Sequence, residues 1–139
     1  MTGTTSPDGQ YVLVSRTKRP FSRLLPYFQF PRDVEVWNRS GVKLRTVADV
    51  PMADRVPQNG VITGPRAHRW TPLDPATLIW VEALDKGDIR NTVPHRDKIL
   101  ALAAPFSGEP AEVARTEYRY GGASWTDTGT ILLTENDRD

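Results

Sequence analysis

One turn signature occurs three times in this chain, and each time it opens a short apolar strand. Trp70-Thr71-Pro72-Leu73-Asp74-Pro75 leads into Thr77-Leu78-Ile79-Trp80-Val81, and Trp125-Thr126-Asp127-Thr128-Gly129 leads into Thr130-Ile131-Leu132-Leu133. Thr5-Ser6-Pro7-Asp8-Gly9, which lacks the aromatic, leads into Gln10-Tyr11-Val12-Leu13-Val14. Each copy reads as a hairpin with a fixed place for its turn. A second echo follows. Arg32-Asp33 opens Val34-Glu35-Val36-Trp37 and Arg96-Asp97 opens Lys98-Ile99-Leu100-Ala101-Leu102; Ser40-Gly41 and Ser107-Gly108 then lead into further strand-like stretches. The repeating unit is therefore four strands, and a repeated sheet unit means a propeller or an array. The spacings from Ser6 to Thr71 and from Thr71 to Thr126 exceed the roughly 40 to 50 residues of tighter propeller repeats, which places the excess in loops.

Twelve prolines and ten glycines are scattered along the chain, and no window sustains a helical period, so the fold class is all-β. Strands are expected over 11–16, 33–38, 43–50, 67–70, 77–83, 98–103, 111–116, 122–125 and 130–135. The expected architecture is an incomplete β-propeller of about two to three four-stranded antiparallel blades. Residues 1–50 would form a partial blade, 66–116 a blade and 119–139 the start of the next. With 139 residues, one domain can bury about two thirds of its unfolded surface.

Two loops interrupt the pattern. Residues 18–31 carry Phe21, Tyr27, Phe28 and Phe30 between Pro20, Pro26 and Pro31, too apolar a set to stand in water. These four aromatics either cover the end of their own blade or form an interface with another domain, blade or bound peptide. The second loop, 86–96, is polar, with Asp88, Arg90 and His95 close to Asp85, and reads as solvated.

Composition excludes several functions. Eighteen basic against seventeen acidic side chains leave a charge of +1, which gives no field to steer nucleic acid; Arg16, Lys18, Arg19 and Arg23 are the one local excess and read as a solvated loop. With no cysteine, disulfides, zinc-thiolate sites and thiol catalysis drop out together. No apolar run is long enough for a membrane span, and no basic segment followed by an apolar one suggests a signal peptide, so a soluble chain is expected. No catalytic, cofactor-binding or metal site emerges. Gly122-Ala123-Ser124-Trp125 lacks the second glycine of a nucleophile elbow, and Gly60-Val61-Ile62-Thr63-Gly64 lacks the Gly-Lys-Ser/Thr of a phosphate loop. His68 and His95 have neither a second ligand at metal spacing nor an evident serine partner, and His68 reads as a packed strand residue. Trp70 and Trp125, at matching places before their turns, read as repeated structural residues packing between neighbouring blades.

The turn-plus-strand copies resemble the blades of the prolyl oligopeptidase family of serine peptidases. Arg19-Pro20-Phe21-Ser22, Phe30-Pro31-Arg32 with Val34-Glu35-Val36-Trp37, and Tyr120-Gly121-Gly122-Ala123 running on to Asp139 resemble its glutamyl endopeptidase branch. The resemblance implies a propeller that gates access to an α/β-hydrolase domain and helps select peptide substrate. It also implies that the Ser, Asp and His of catalysis lie in that domain, outside this sequence. The expected partners are the hydrolase domain, the remaining blades and the parent's peptide substrate, with no nucleic acid and no membrane. The alternative is a stand-alone scaffold that binds a protein partner. Unpaired edges beside 11–16 and 130–135 would make the isolated chain a homo-oligomer.

Overall fold

The computed structural model describes residues 1–19, 23–26, 29–53 and 55–137. Ten strands form among them: β1 (Thr2–Thr5), β2 (Tyr11–Thr17), β3 (Arg32–Asn38), β4 (Lys43–Val50), β5 (Arg66–Trp70), β6 (Thr77–Ala83), β7 (Asp97–Ala103), β8 (Ala111–Thr116), β9 (Arg119–Trp125) and β10 (Ile131–Asn136). They make two four-stranded sheets, β1-β2-β3-β4 and β5-β6-β7-β8, and a two-stranded sheet of β9 and β10. Every neighbouring pair is antiparallel.

The three turn copies close alike. The Ser6 amide donates to the Tyr11 carbonyl, Thr71 to Thr77 and Thr126 to Thr130, each at 2.9 Å. A hydroxyl then braces each turn: Ser6 Oγ to Asp8 at 2.6 Å, Thr71 Oγ1 to Asp74 at 2.9 Å, and Thr126 Oγ1 with Thr128 Oγ1 at 2.9 Å. Short hydroxyl side chains compete for local backbone and side-chain partners, which is why Ser or Thr stands at this place each time. Counted from these bonds, Thr5, Trp70 and Trp125 occupy one position, paired with Val12, Leu78 and Ile131.

The sheets stack face to face. Leu13, Val34, Val36, Ala48 and Val50 of the first sheet share a core with Trp70, Leu78, Trp80, Leu100 and Leu102 of the second. The opposite face of the second sheet presents Ile79, Val81 and Ile99 to Tyr120, Trp125 and Leu133 of the third. Side chains alternate between faces along a strand, so a strand covered on both faces must be apolar throughout, and Leu78-Ile79-Trp80-Val81 is. Phe106 plugs the first seam, edge-on to Tyr11 at 5.0 Å and to Trp70 at 5.9 Å. Arg45 of the first sheet donates to the Phe106 and Gly108 carbonyls of the second at 2.8 and 2.7 Å.

Two expectations change. Residues 1–50 carry a full four-stranded sheet, not a partial one, because Thr2–Thr5 pairs with β2 as an exposed polar strand without alternation. The loop after β6 is not uniformly solvated either. Arg90 and Asn91 are exposed, but Asp85 and Gly87 are buried. The connection between the first two sheets crosses this loop, with the Val61 amide donating to the Gly87 carbonyl at 3.0 Å.

Candidate functional site

The seam between the second and third sheets is held by charge as well as by apolar contact. Asp97, at the start of β7, is fully buried and accepts from Arg66 of β5 at 2.7 Å, Arg119 of β9 at 2.9 Å and the Tyr120 amide at 2.8 Å. Asp85 accepts from Arg96 at 2.9 Å, from Arg119 at 2.6 Å and from the Gly87 amide at 3.0 Å. Burial by itself would raise the Asp85 carboxyl. The hydrogen bonds from Arg119 and Arg96 outweigh it and leave the carboxyl below its ordinary range. Arg119 thus joins the third sheet to two carboxylates of the second, in a lattice where three guanidiniums (Arg66, Arg96, Arg119) meet two carboxylates.

Above this lattice lies a cleft of about 370 Å³, walled by Asn59, Gly60 and Val61 of the long connection, by Ile89 and Arg90 of the loop, by Tyr118 in the turn before β9, and by Arg119 and Asn136 of the third sheet. Nothing in the sequence pointed to it. Asp85 looks like an ordinary turn residue, and its partners Arg96 and Arg119 lie 11 and 34 positions away.

Of the residues singled out from sequence, Trp70 is buried and donates from its indole to the Thr4 carbonyl of β1 at 3.0 Å. Trp125 is half-buried, with the Arg69 guanidinium 4.6 Å from its ring. Each indole faces the preceding sheet. Phe30 is half-buried at the end of the 18–31 loop, while Phe21, Tyr27 and Phe28 lie outside the described residues. Arg16 and Lys18 of the basic cluster are matched by Asp33, Glu35 and Asp49.

His68 stacks on Trp80 at 5.8 Å, and its Nε2 is buried without a hydrogen-bond partner. Burial first, and the Arg32 charge second, push its pKa from 6.5 down to about 4. The unfolded chain therefore binds a proton that the folded chain refuses. Stability is full above pH 6.5 and falls as pH drops toward 4; between pH 7 and pH 5 the loss from His68 should be about 2 kcal/mol. Asp85 adds a loss of the same sign at lower pH, as its carboxyl is protonated. Urea midpoints measured across this window should show the slope, and His68→Gln should remove most of it. A wild-type midpoint that stays level from pH 7 to pH 5 would show that His68 titrates normally.

Among the described residues no hydrogen bond joins a serine to a histidine side chain; Ser6 Oγ is engaged within its own turn. Among the described residues no group of three or more His, Asp or Glu side chains is arranged to hold a metal ion.

Comparison with known proteins places the chain beside part of a peptidase. It is 37% identical over 135 residues to a probable glutamyl endopeptidase, chloroplastic, of Oryza sativa subsp. japonica. It is 39% identical over 135 residues to the protein of the same name from Arabidopsis thaliana. Each alignment takes in 94% of this chain and 14% of the relative, so the chain spans about one seventh of the length of the curated proteins it matches. No protein-family model matches the chain. No solved structure matches it. The resemblance read from the Arg-Pro-Phe-Ser and Tyr-Gly-Gly-Ala segments is thus supported at the level of a peptidase-related sequence.

Proposed function

We propose that this chain is a non-catalytic β-propeller segment of a prolyl-oligopeptidase-type serine peptidase, gating access to a hydrolase domain outside the chain and helping to select its peptide substrate. The observation that carries this reading is the recurrence of one hydroxyl-braced turn in three successive sheets, packed first on second and second on third, in a chain alignable with probable glutamyl endopeptidases. Stacked four-stranded units of this kind are what a propeller repeats around its axis. Trp70 and Trp125 then act as inter-blade residues, and Phe21, Tyr27, Phe28 and Phe30 are the proposed contact with a neighbouring blade or the hydrolase domain.

A second reading, a stand-alone scaffold that takes a protein partner and oligomerises through its open edges, draws on β10. Ile131 and Leu132 are exposed there, and among the described residues β10 pairs only with β9. The two readings differ in the mass of the natural product: about 15.6 kDa fits the scaffold and several times that fits the peptidase. The peptidase reading is tested by incubating the purified chain with fluorogenic peptides cleaved after Glu. The background rate is expected. Turnover that survives repurification and is abolished by a serine-directed inhibitor would sink the non-catalytic role.

A further inference from the structure

The first seam is plugged by a side chain where the second seam has a groove. Phe106, in the turn after β7, takes a φ of 65° that bulky residues seldom adopt, and it is buried. Burying its ring against Tyr11 and Trp70 offsets that cost. The turn itself recurs. Phe106 donates its amide to the Ala103 carbonyl at 3.0 Å, as Gly41 does to Asn38 at 3.1 Å, and Gly41 has a φ of 79°. Ala104 donates to the Ala76 carbonyl at 2.9 Å, as Arg39 does to Gln10 at 3.1 Å. Ala76 and Gln10 each precede the residue that closes a turn copy, and Gly129 holds that place in the third sheet.

Counted from the turns, Tyr11 and Trp70 correspond to Thr77 and Trp125, and those two line a groove of about 200 Å³ together with Leu73, Ala101, Val113 and Ile131. Gly129 is on its wall, and among the described residues no backbone donor reaches the Gly129 carbonyl. Leu73, Val113 and Ile131 are each about half exposed, which gathers apolar surface at one place. The repeat shows what such surface is covered by. β4 and β8 shift register at the same point, so Val47 and Val113 both sit in a bulge, yet Val47 packs on the first core while Val113 is 51% exposed. Trp70 is buried and Trp125 half-buried in the same way. Among the described residues β10 pairs only with β9, so the third sheet covers the second less fully than the second covers the first.

We infer that this groove receives the aromatic side chain of an extended polypeptide segment that pairs antiparallel with β10, as β7 and its turn pair with β6. The register follows from the repeat. Leu78 pairs with Leu102 and Trp80 with Leu100, so the segment carries apolar residues opposite Ile131 and Leu133, with the aromatic four positions beyond the one opposite Ile131. An amide two positions before the aromatic donates to the Gly129 carbonyl, as Ala104 does to Ala76. Strand addition of this kind takes its affinity from main-chain bonds and its selectivity from the pocket. The groove continues the apolar seam of Ile79, Trp125 and Leu133, so the segment extends an interface already formed. The inference rests on the repetition of turns and registers and is independent of the peptidase reading.

Three synthetic peptides, end-blocked and flanked by lysines for solubility, test it by NMR titration of the full chain: the sequence of residues 97–108, the same sequence with Ala in place of its Phe, and a scrambled order. Saturable shifts are expected with the first at the amides of Thr77, Val113, Ile131 and Leu132 and at the Trp125 indole N–H. The Ala peptide should bind at least about tenfold more weakly, the range for burying one Phe side chain, and the scrambled peptide not at all. Val113→Lys, at a half-exposed position, should weaken the first peptide by about tenfold with the spectrum otherwise native; if that variant fails to fold, Leu73→Lys in the turn should do the same. No saturable shift, or equal binding by the scrambled peptide, would overturn the site. Equal binding by the Phe and Ala peptides would reduce it to edge pairing without an aromatic pocket and so overturn it too. Shifts confined to β6 and β7 would mean strand exchange within the second sheet, and the same shifts on concentrating the chain without peptide would make a second copy the occupant; either result overturns the inference and leaves the non-catalytic reading untouched.

Discussion

Asp97→Ala should cost about 3 to 5 kcal/mol, because it removes one member of a buried ion lattice and strands the others. The Asp97 side chain has no solvent exposure and serves Arg66, Arg119 and the Tyr120 amide together. Deleting it leaves two guanidiniums and a backbone N–H facing an apolar interior, and Asp85 can compensate only Arg119. The cost comes from the orphaned partners, so it should shrink when they are removed too. In the double variant Asp97→Ala with Arg119→Ala, the second change should add far less than it costs alone. The surface pair Asp88–Arg90 supplies the contrast: Arg90 is 80% exposed, and Asp88→Ala should leave the urea midpoint close to the wild-type value. Chemical denaturation of the four variants decides the matter. An Asp97→Ala loss no larger than that of Asp88→Ala would mean that water enters the seam.

The same lattice shows where the sequence stops being readable. Strands such as Thr77–Ala83 and Asp97–Ala103 announce themselves because both of their faces are covered, which forces an unbroken apolar run. Thr2–Thr5 gives no such sign; all four residues are exposed, and only its pairing with β2 makes it a strand. The turn copies are legible because they are local, closed within a few residues by their own hydroxyls and amides. Asp85 and Asp97 are not, since a carboxylate in sequence looks solvated until distant guanidiniums are known to reach it.

The Arg-Asp echo carries a finer lesson. Thr17 pairs with Arg32 and Ala83 with Asp97, so, measured from the turns, Arg32 matches Asp97 and the two dipeptides are out of step by one residue. A shift of one reverses every face. Asp33 accordingly sits with Lys18 and Arg16 on the side of the first sheet away from the second, whereas Asp97 is buried at the third. Likeness of residues located the strands but could not assign their faces. The cleft was illegible for the same reason: its walls come from the connection near Asn59, the loop near Arg90 and the ends of β9 and β10, which no spacing rule brings together.

Gly87→Ala should be the most damaging conservative change in the chain. Gly87 has φ of 75°, and a Cβ placed on it would lie 2.1 Å from the Val61 carbonyl oxygen. Its own carbonyl accepts from the Val61 amide at 3.0 Å, so the two segments cannot separate without losing that bond. Gly60 closes the contact from the other side: a Cβ there would meet the Gly87 oxygen at 2.3 Å. Two backbones pass so closely that neither residue can carry a side chain. The left-handed conformation costs an L-residue about 1 to 2 kcal/mol, and overpacking against rigid backbone adds about 1 to 3 kcal/mol. Gly9 isolates the first term, since its φ is 70° and nothing stands within 4 Å of its missing Cβ. Gly9→Ala should therefore show the conformational cost alone, Gly60→Ala the steric cost alone, and Gly87→Ala their sum. Gly60 also lines the cleft beside Asn59 and Val61, so Gly87→Ala should perturb the amide resonances of those two neighbours even where the chain stays folded. Equal losses for Gly9→Ala and Gly87→Ala, with those resonances unmoved, would mean that the long connection does not lie against the loop.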